Sequence, residues 1–278
     1  LYMYGGPSQM DLFDYKPELA RHHGKTIDIE MRRRSIRKEK ILGPVREFKR
    51  RGQSGLWCSD AFPHTAQHMD KMAVIKSLYM DSFAHGSANI QMNSGRVLQG
   101  HPSLGAWIAH GLGSANKNLP SFVVMVTKGK GGQPLVSRLW GSGFLPSENQ
   151  GLRFRSGATP VLHLHYPSGI GRDSRRLMRD RLRELHELQL EGNPDAEIES
   201  RIAQYEMAFK MQSSVPEMAD LSSEPDRTFE RWGEEAKQAG KFQNAALMAR
   251  RLVERGVRFV QIYHRGWDVH SFAPQVLP

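Results

Sequence analysis

Val257-Arg258-Phe259-Val260-Gln261-Ile262-Tyr263, followed by Gly266-Trp267-Asp268-Val269-His270, lies near the end of a chain of 278 residues. The first stretch is short, mostly apolar and bounded by Gly256 and Gly266, the pattern of a strand covered on both faces in a parallel sheet between helices. Comparable runs occur at Leu1 to Tyr4, Met72 to Leu78, Ser121 to Val126 and Val161 to His165. Helical stretches separate them. Ser103 to Leu112 begins on a capping serine, and Asn244 to Arg255 places arginines in its last turns ahead of Gly256, as helix C-termini favour. Between Arg172 and Gln212 the texture changes. Met178, Leu182 and Leu185 fall at helical spacing, and past Gly192-Asn193-Pro194 so do Ile198, Ile202, Tyr205 and Phe209. A helical hairpin inserted between sheet strands is expected there, with the Ser-, Pro- and acid-rich run Ser213 to Asp226 as the returning loop. The predicted class is α/β, a mostly parallel sheet flanked by helices, in one domain over residues 1–278. Because apolar or motif-bearing segments sit at both extremes, that domain is expected to be incomplete at each end.

Composition narrows the function classes. With 39% hydrophobic and 24% charged residues the chain reads as a water-soluble globular protein, and no stretch approaches the length of a membrane-spanning helix. A single cysteine, Cys58, excludes an intrachain disulfide framework and any cysteine-based metal cluster. It is expected to be a small buried hydrophobe. A net charge of +10 permits anionic partners such as phosphate or sulfate esters, nucleic acid or acidic polysaccharide. The densest basic run, Arg32 to Arg34 with Arg37, Lys38, Lys40, Arg46 and Lys49 to Arg51, carries no interleaved aromatics for stacking bases. It reads as a solvated loop or helix face, and nucleic acid is disfavoured.

Three segments carry possible chemistry. Gly5-Gly6-Pro7-Ser8 directly after the first strand makes a tight turn at the carboxyl edge of the sheet, where open α/β proteins bind ligands, with Asp11 just beyond. Read alone, Asp11 is more commonly a turn or helix cap than a ligand. Asp81 to Asn89 leads from a strand-like run into a helix ending near Gly95, so that His85 and Ser87 stand where backbone N–H groups can face an oxyanion. In Trp267-Asp268-Val269-His270, alternate residues of extended backbone point to one side, so Asp268 and His270 could reach one metal ion. Gly129-Lys130-Gly131-Gly132 lacks the ending of a phosphate loop and is read as a flexible loop. His64, His68, His101, His163 and His165 have no partner identifiable from spacing.

Taken in order, these segments resemble the uncharacterised bacterial family known as domain of unknown function fifteen-oh-one, often labelled sulfatase and placed in the alkaline-phosphatase-like superfamily. Arg51-Gly52-Gln53-Ser54-Gly55, Gly100 to Gly105, Gly143 to Ser147 and Ala246 to Val260 carry the same resemblance, which spans essentially the whole chain. It implies a metal-dependent hydrolase of phosphate or sulfate esters, with Asp11, Asp268 and His270 as metal ligands and His85 near the nucleophile position. The metal would be a divalent ion such as zinc, calcium, magnesium or manganese. The substrate would be an anionic ester, a sulfated or phosphorylated glycan among the options, and the address periplasmic or extracellular. The family's further ligand segments, Gly-Glu-Phe-Gly-Arg and Gly-Arg-Asp-His, are not contained in this sequence. Because His85 is neither the hydroxyl nor the modified cysteine of the superfamily, the alternative is a non-catalytic scaffold of the same fold that binds polyanions.

Overall fold

The computed structural model describes residues 1–30, 36–127, 135–157, 159–161, 164, 168–192 and 195–268. In chain order the first half forms β1 (Tyr2–Tyr4), α1 (Pro17–Arg21), β2 (Thr26–Glu30), β3 (Ile36–Lys40), β4 (Phe48–Arg51), β5 (Leu56–Ser59), α2 (His85–Ser94), α3 (Leu104–Leu112) and β6 (Phe122–Val126). The second half adds β7 (Leu152–Phe154), α4 (Arg172–Gly192), α5 (Ala196–Ala219), α6 (Asp226–Trp232), α7 (Phe242–Glu254) and β8 (Phe259–Arg265). The chain divides into two compact units, one comprising residues 1–4 and 80–266, the other residues 5–79 with the segment that begins at Trp267.

The first unit is α/β. Its sheet has the order β1-β8-β6-β7 and every pairing is parallel, with Tyr2 opposite Tyr263, Val123 opposite Val260 and Val123 opposite Leu152. Alternation along β6 assigns its side chains to opposite faces. Val123 and Met125 join Val215, Met218, Met248 and Leu252 from α5 and α7, whereas Phe122 and Val124 join Ala109 of α3 with Leu139, Trp140, Tyr4 and Tyr263. Both faces are thus covered, which is why the strands read as continuous apolar runs.

The strands expected at Leu1 to Tyr4, Ser121 to Val126 and Val257 to Tyr263 are present as β1, β6 and β8, the last displaced by two residues. Ser103 caps α3, its Oγ accepting from the Ala106 N–H at 3.3 Å, and Gly95 closes α2 at φ 74°. Three expectations need correction. Met72 to Leu78 forms no strand; Ile75 and Leu78 are exposed, and only Val74 packs inward, on the Cys58, Ala66 and Met69 cluster. Val161 and Leu164 belong to no strand either; Leu164 is buried beside Met211 and Val215, while residues 162, 163 and 165 lie outside the described residues. The loop expected from Ser213 begins only after Ala219, because α5 runs through Pro216 to bury Val215 and Met218 completely. Core burial of two large side chains outweighs the local cost of serine and proline.

In the second unit β2 pairs antiparallel with β3, and β4 with β5. Arg37, Lys38 and Lys40 of the basic run lie on β3, a largely exposed strand rather than a loop or helix; Arg32 to Arg34 and the Gly129 to Gly132 segment lie outside the described residues. Cys58 is buried as expected. No helix among the described residues is long and apolar enough to cross a membrane.

Candidate functional site

Two neighbouring parallel strands, β1 and β8, lead directly into the glycine turn and into Trp267-Asp268. Gly5 and Gly6 hold φ of 123° and 85°, a backbone region that side chains strongly disfavour. At Gly5 the restriction is also one of space. A Cβ there would overlap the Asp268 backbone nitrogen and come within 2.8 Å of the Asp268 Cβ. Glycine therefore lets the turn close onto Asp268. Trp267 is buried and stacks on Phe62 at 6.1 Å between centroids, and Phe62 stacks on Phe13 at 5.4 Å. This aromatic series fixes the backbone that carries the Asp268 carboxylate, which is partly buried.

Asp11 ends a short 3-10 turn, Gln9–Asp11. Its Oδ1 accepts from the Val45 N–H at 3.1 Å, so the carboxylate holds a loop 34 residues away rather than capping its own turn. Asp14, which the sequence did not single out, is the more buried carboxylate. It is paired with Lys16 at 2.9 Å and Lys76 at 3.6 Å, and the Lys16 hydrogen bond in particular holds its pKa below the ordinary carboxylate value. His270 lies outside the described residues. Among those described, no group of three or more histidine, cysteine or acidic side chains gathers closely enough to hold a metal ion.

His85 and Ser87 belong to the other compact unit, at the start of α2. The N-cap, Ala84, has extended backbone and offers no side-chain acceptor. Instead Ser82 Oγ accepts from the Ala84 N–H at 3.2 Å and sits 2.5 Å from Ser87 Oγ, which in turn donates to the Ala84 carbonyl at 3.4 Å. The helix is fixed against the sheet by polar contacts beside a single apolar one, Ile90. Tyr2 Oη donates to Asn89 Oδ1 at 2.6 Å, Asn89 Nδ2 donates to the His85 carbonyl at 2.6 Å, and Tyr263 Oη and Gln261 Nε2 both donate to Asn93 Oδ1. Burial pushes the Tyr2 phenol up to about 12 and the Tyr263 phenol higher still, so both remain donors at neutral pH.

One further polar pair joins the ends of β6 and β8. Thr127, just past β6, places Oγ1 2.7 Å from Nδ1 of His264 in β8, and burial lowers the His264 pKa from its ordinary value. A hydroxyl thus faces a neutral imidazole towards the carboxyl end of the sheet. The two residues are 137 apart in sequence, and only the register of β6 on β8 unites them.

A family model matches residues 1–277. The chain belongs to the family described as Protein of unknown function (DUF1501). Comparison with curated proteins and with solved structures gives no match. Membership of this family agrees with the glycine turn, the His85 loop and the Trp267-Asp268 segment on which the resemblance was founded.

Proposed function

We propose that this chain is the catalytic part of an exported hydrolase of phosphate or sulfate esters that depends on a divalent metal ion. The frame would be alkaline-phosphatase-like, with α4 and α5 as its helical insertion. The observation that carries the reading is the close packing of Gly5 on Asp268, which joins two motif segments from opposite ends of the chain. Ligand-binding segments of open α/β proteins emerge at such strand exits.

Asp11 and Asp268 suit a hard divalent ion by donor type, and His270, the third ligand of this reading, lies outside the described residues. Asp14 is not a ligand in this reading, because Lys16 and Lys76 hold it. A bound ion would polarise the ester oxygen. In this reading the first N–H groups of α2 receive the negative charge that develops on the ester oxygens. Ser87, held by Ser82, supplies a hydroxyl, and His85 moves the proton. The substrate is an anionic ester, with sulfated and phosphorylated glycans the first candidates given the net charge of +10.

Hydrolysis of aryl phosphate and aryl sulfate esters by the protein, with and without chelator, tests the proposal. Activity that chelation abolishes and Asp268→Asn lowers by at least about a hundredfold is expected. Chelator-resistant activity, or none on either ester, counts against it. The scaffold reading draws support from the commitment of Asp11 to Val45 and of Asp14 to its lysines. A native protein without bound metal that still retains polyanions would favour it.

A further inference from the structure

Helix α4 meets α5 through both polar and apolar side chains: the Arg179 guanidinium lies 4.5 Å over the Phe209 ring, Arg183 is 3.7 Å from Glu206, His186 stacks on Tyr205, and Met178 and Leu182 line the groove beside Phe209 and Met211. Elsewhere on the helix Leu177, Leu185 and Leu188 remain 57–63% exposed. An amphipathic helix ordinarily gives such positions to polar residues.

The charge order of α4 is equally unusual. Residues 172–181 hold five arginines and two aspartates, whereas residues 182–192 hold one arginine and three glutamates. Cations at a helix N-terminus and anions at its C-terminus both oppose the helix dipole. Arg172, Arg175 and Arg176 form no salt bridge with another described residue, and Asp173 and Asp180 are the only acids of that half to offset its five arginines. An antiparallel helix of the same sequence would do so, setting each basic half beside an acidic half.

We propose that α4 is a self-association surface, and that two copies of this chain pair through it antiparallel about a two-fold axis between residues 182 and 183. The register follows from the sequence. Leu177, Arg181, Glu184 and Leu188 recur at steps of four, three and four residues, along one side of the helix. About that axis Leu177 meets Leu188 of the partner subunit, and Arg181 meets Glu184 of the partner subunit. Arg181 and Glu184 already pair within one copy at 2.7 Å, so dimerisation closes a network of four charges between two apolar layers. Leu185 and the charges flanking this line border the contact, and a standard interface buries roughly 800 Å² per partner. This inference is independent of the ester hydrolase proposal.

Sedimentation velocity of the full chain tests it. The wild type should show a concentration-dependent dimer. Arg181→Glu and Glu184→Arg, both at exposed positions, should each weaken association by about tenfold or more, with helix content by circular dichroism unchanged. Mixing the two variants should restore dimers, because the mixed pair sets opposite charges at both contacts while each variant alone sets like charges. Such recovery has no explanation in misfolding of either variant. A wild type that stays monomeric at every attainable concentration overturns the proposal, and so does a mixture that associates no better than its components. A monomer that gathers only other proteins overturns it as well.

Discussion

Gly5 combines a backbone angle that side chains avoid with a neighbour that leaves no room for one. Gly5→Ala should therefore lower stability by about 1–3 kcal/mol from backbone strain alone, with the overlap on Asp268 adding to it. Chemical denaturation measures the loss, and an alanine variant as stable as wild type would refute the close approach. His264 supplies a pH-dependent counterpart. Since burial depresses the imidazole pKa only in the folded chain, the unfolded chain protonates first as pH drops below 6.5. The stability from neutral His264 is complete above that value and declines as pH falls toward the lower folded-state pKa. Thermal midpoints of wild type and His264→Gln, compared from about pH 7 down to about pH 5, should show a shallower decline in the variant. Asp268 and its glycine neighbour were legible in sequence because each stands in a short motif after a strand. Thr127 and His264 were not, since an isolated threonine and an isolated strand histidine acquire meaning only through the pairing of β6 with β8.

At the scale of elements, α7 is tied to the chain ahead of α6 by a nearly buried ion cluster. Glu224 accepts from Arg250 at 2.7 Å and from Arg251 at 2.5 Å, while Arg251 Nε also donates to the Met218 carbonyl. Burial disfavours the Glu224 carboxylate, yet the Arg250, Arg251 and Thr228 hydrogen bonds outweigh it and hold the pKa below the ordinary value. Removing the carboxylate with Glu224→Ala leaves the Arg251 guanidinium buried without its counter-charge. A loss of about 3 kcal/mol is expected by denaturant titration. Asn93→Ala, which withdraws the acceptor shared by Tyr263 and Gln261, should cost about 1–3 kcal/mol in the same assay. Helix α2 shows why some elements were harder to read than others. Asn89 and Asn93 are the residues it buries, so its apolar spacing says little, and the glycine at position 95 marked its end instead. The converse holds for α5. Pro216 and its neighbouring serines signalled a loop, but Val215 and Met218 are drawn into the core and keep the helix going.

Over the whole molecule, the sequence conveyed the parallel α/β character because buried strands must be apolar on both sides. It conveyed less about residues 5–79, where β2 and β3 expose nearly all their side chains and the four-residue strands β4 and β5 are too short for a clear periodic signal. Net charge also acts at this scale. A sulfated polysaccharide column should retain the protein at low ionic strength and release it as salt screens the +10 charge. Retention that ignores salt would point to a contact of another kind. The sheet order carries a different consequence, for biosynthesis. Tyr2 pairs with Tyr263, so β1 leaves the ribosome 261 residues ahead of its partner strand. At about 5–20 residues per second that delay is roughly 15–50 s. A nascent β1 must spend it without its neighbour, which makes the emerging polypeptide a natural client for a holding chaperone until translation delivers β8.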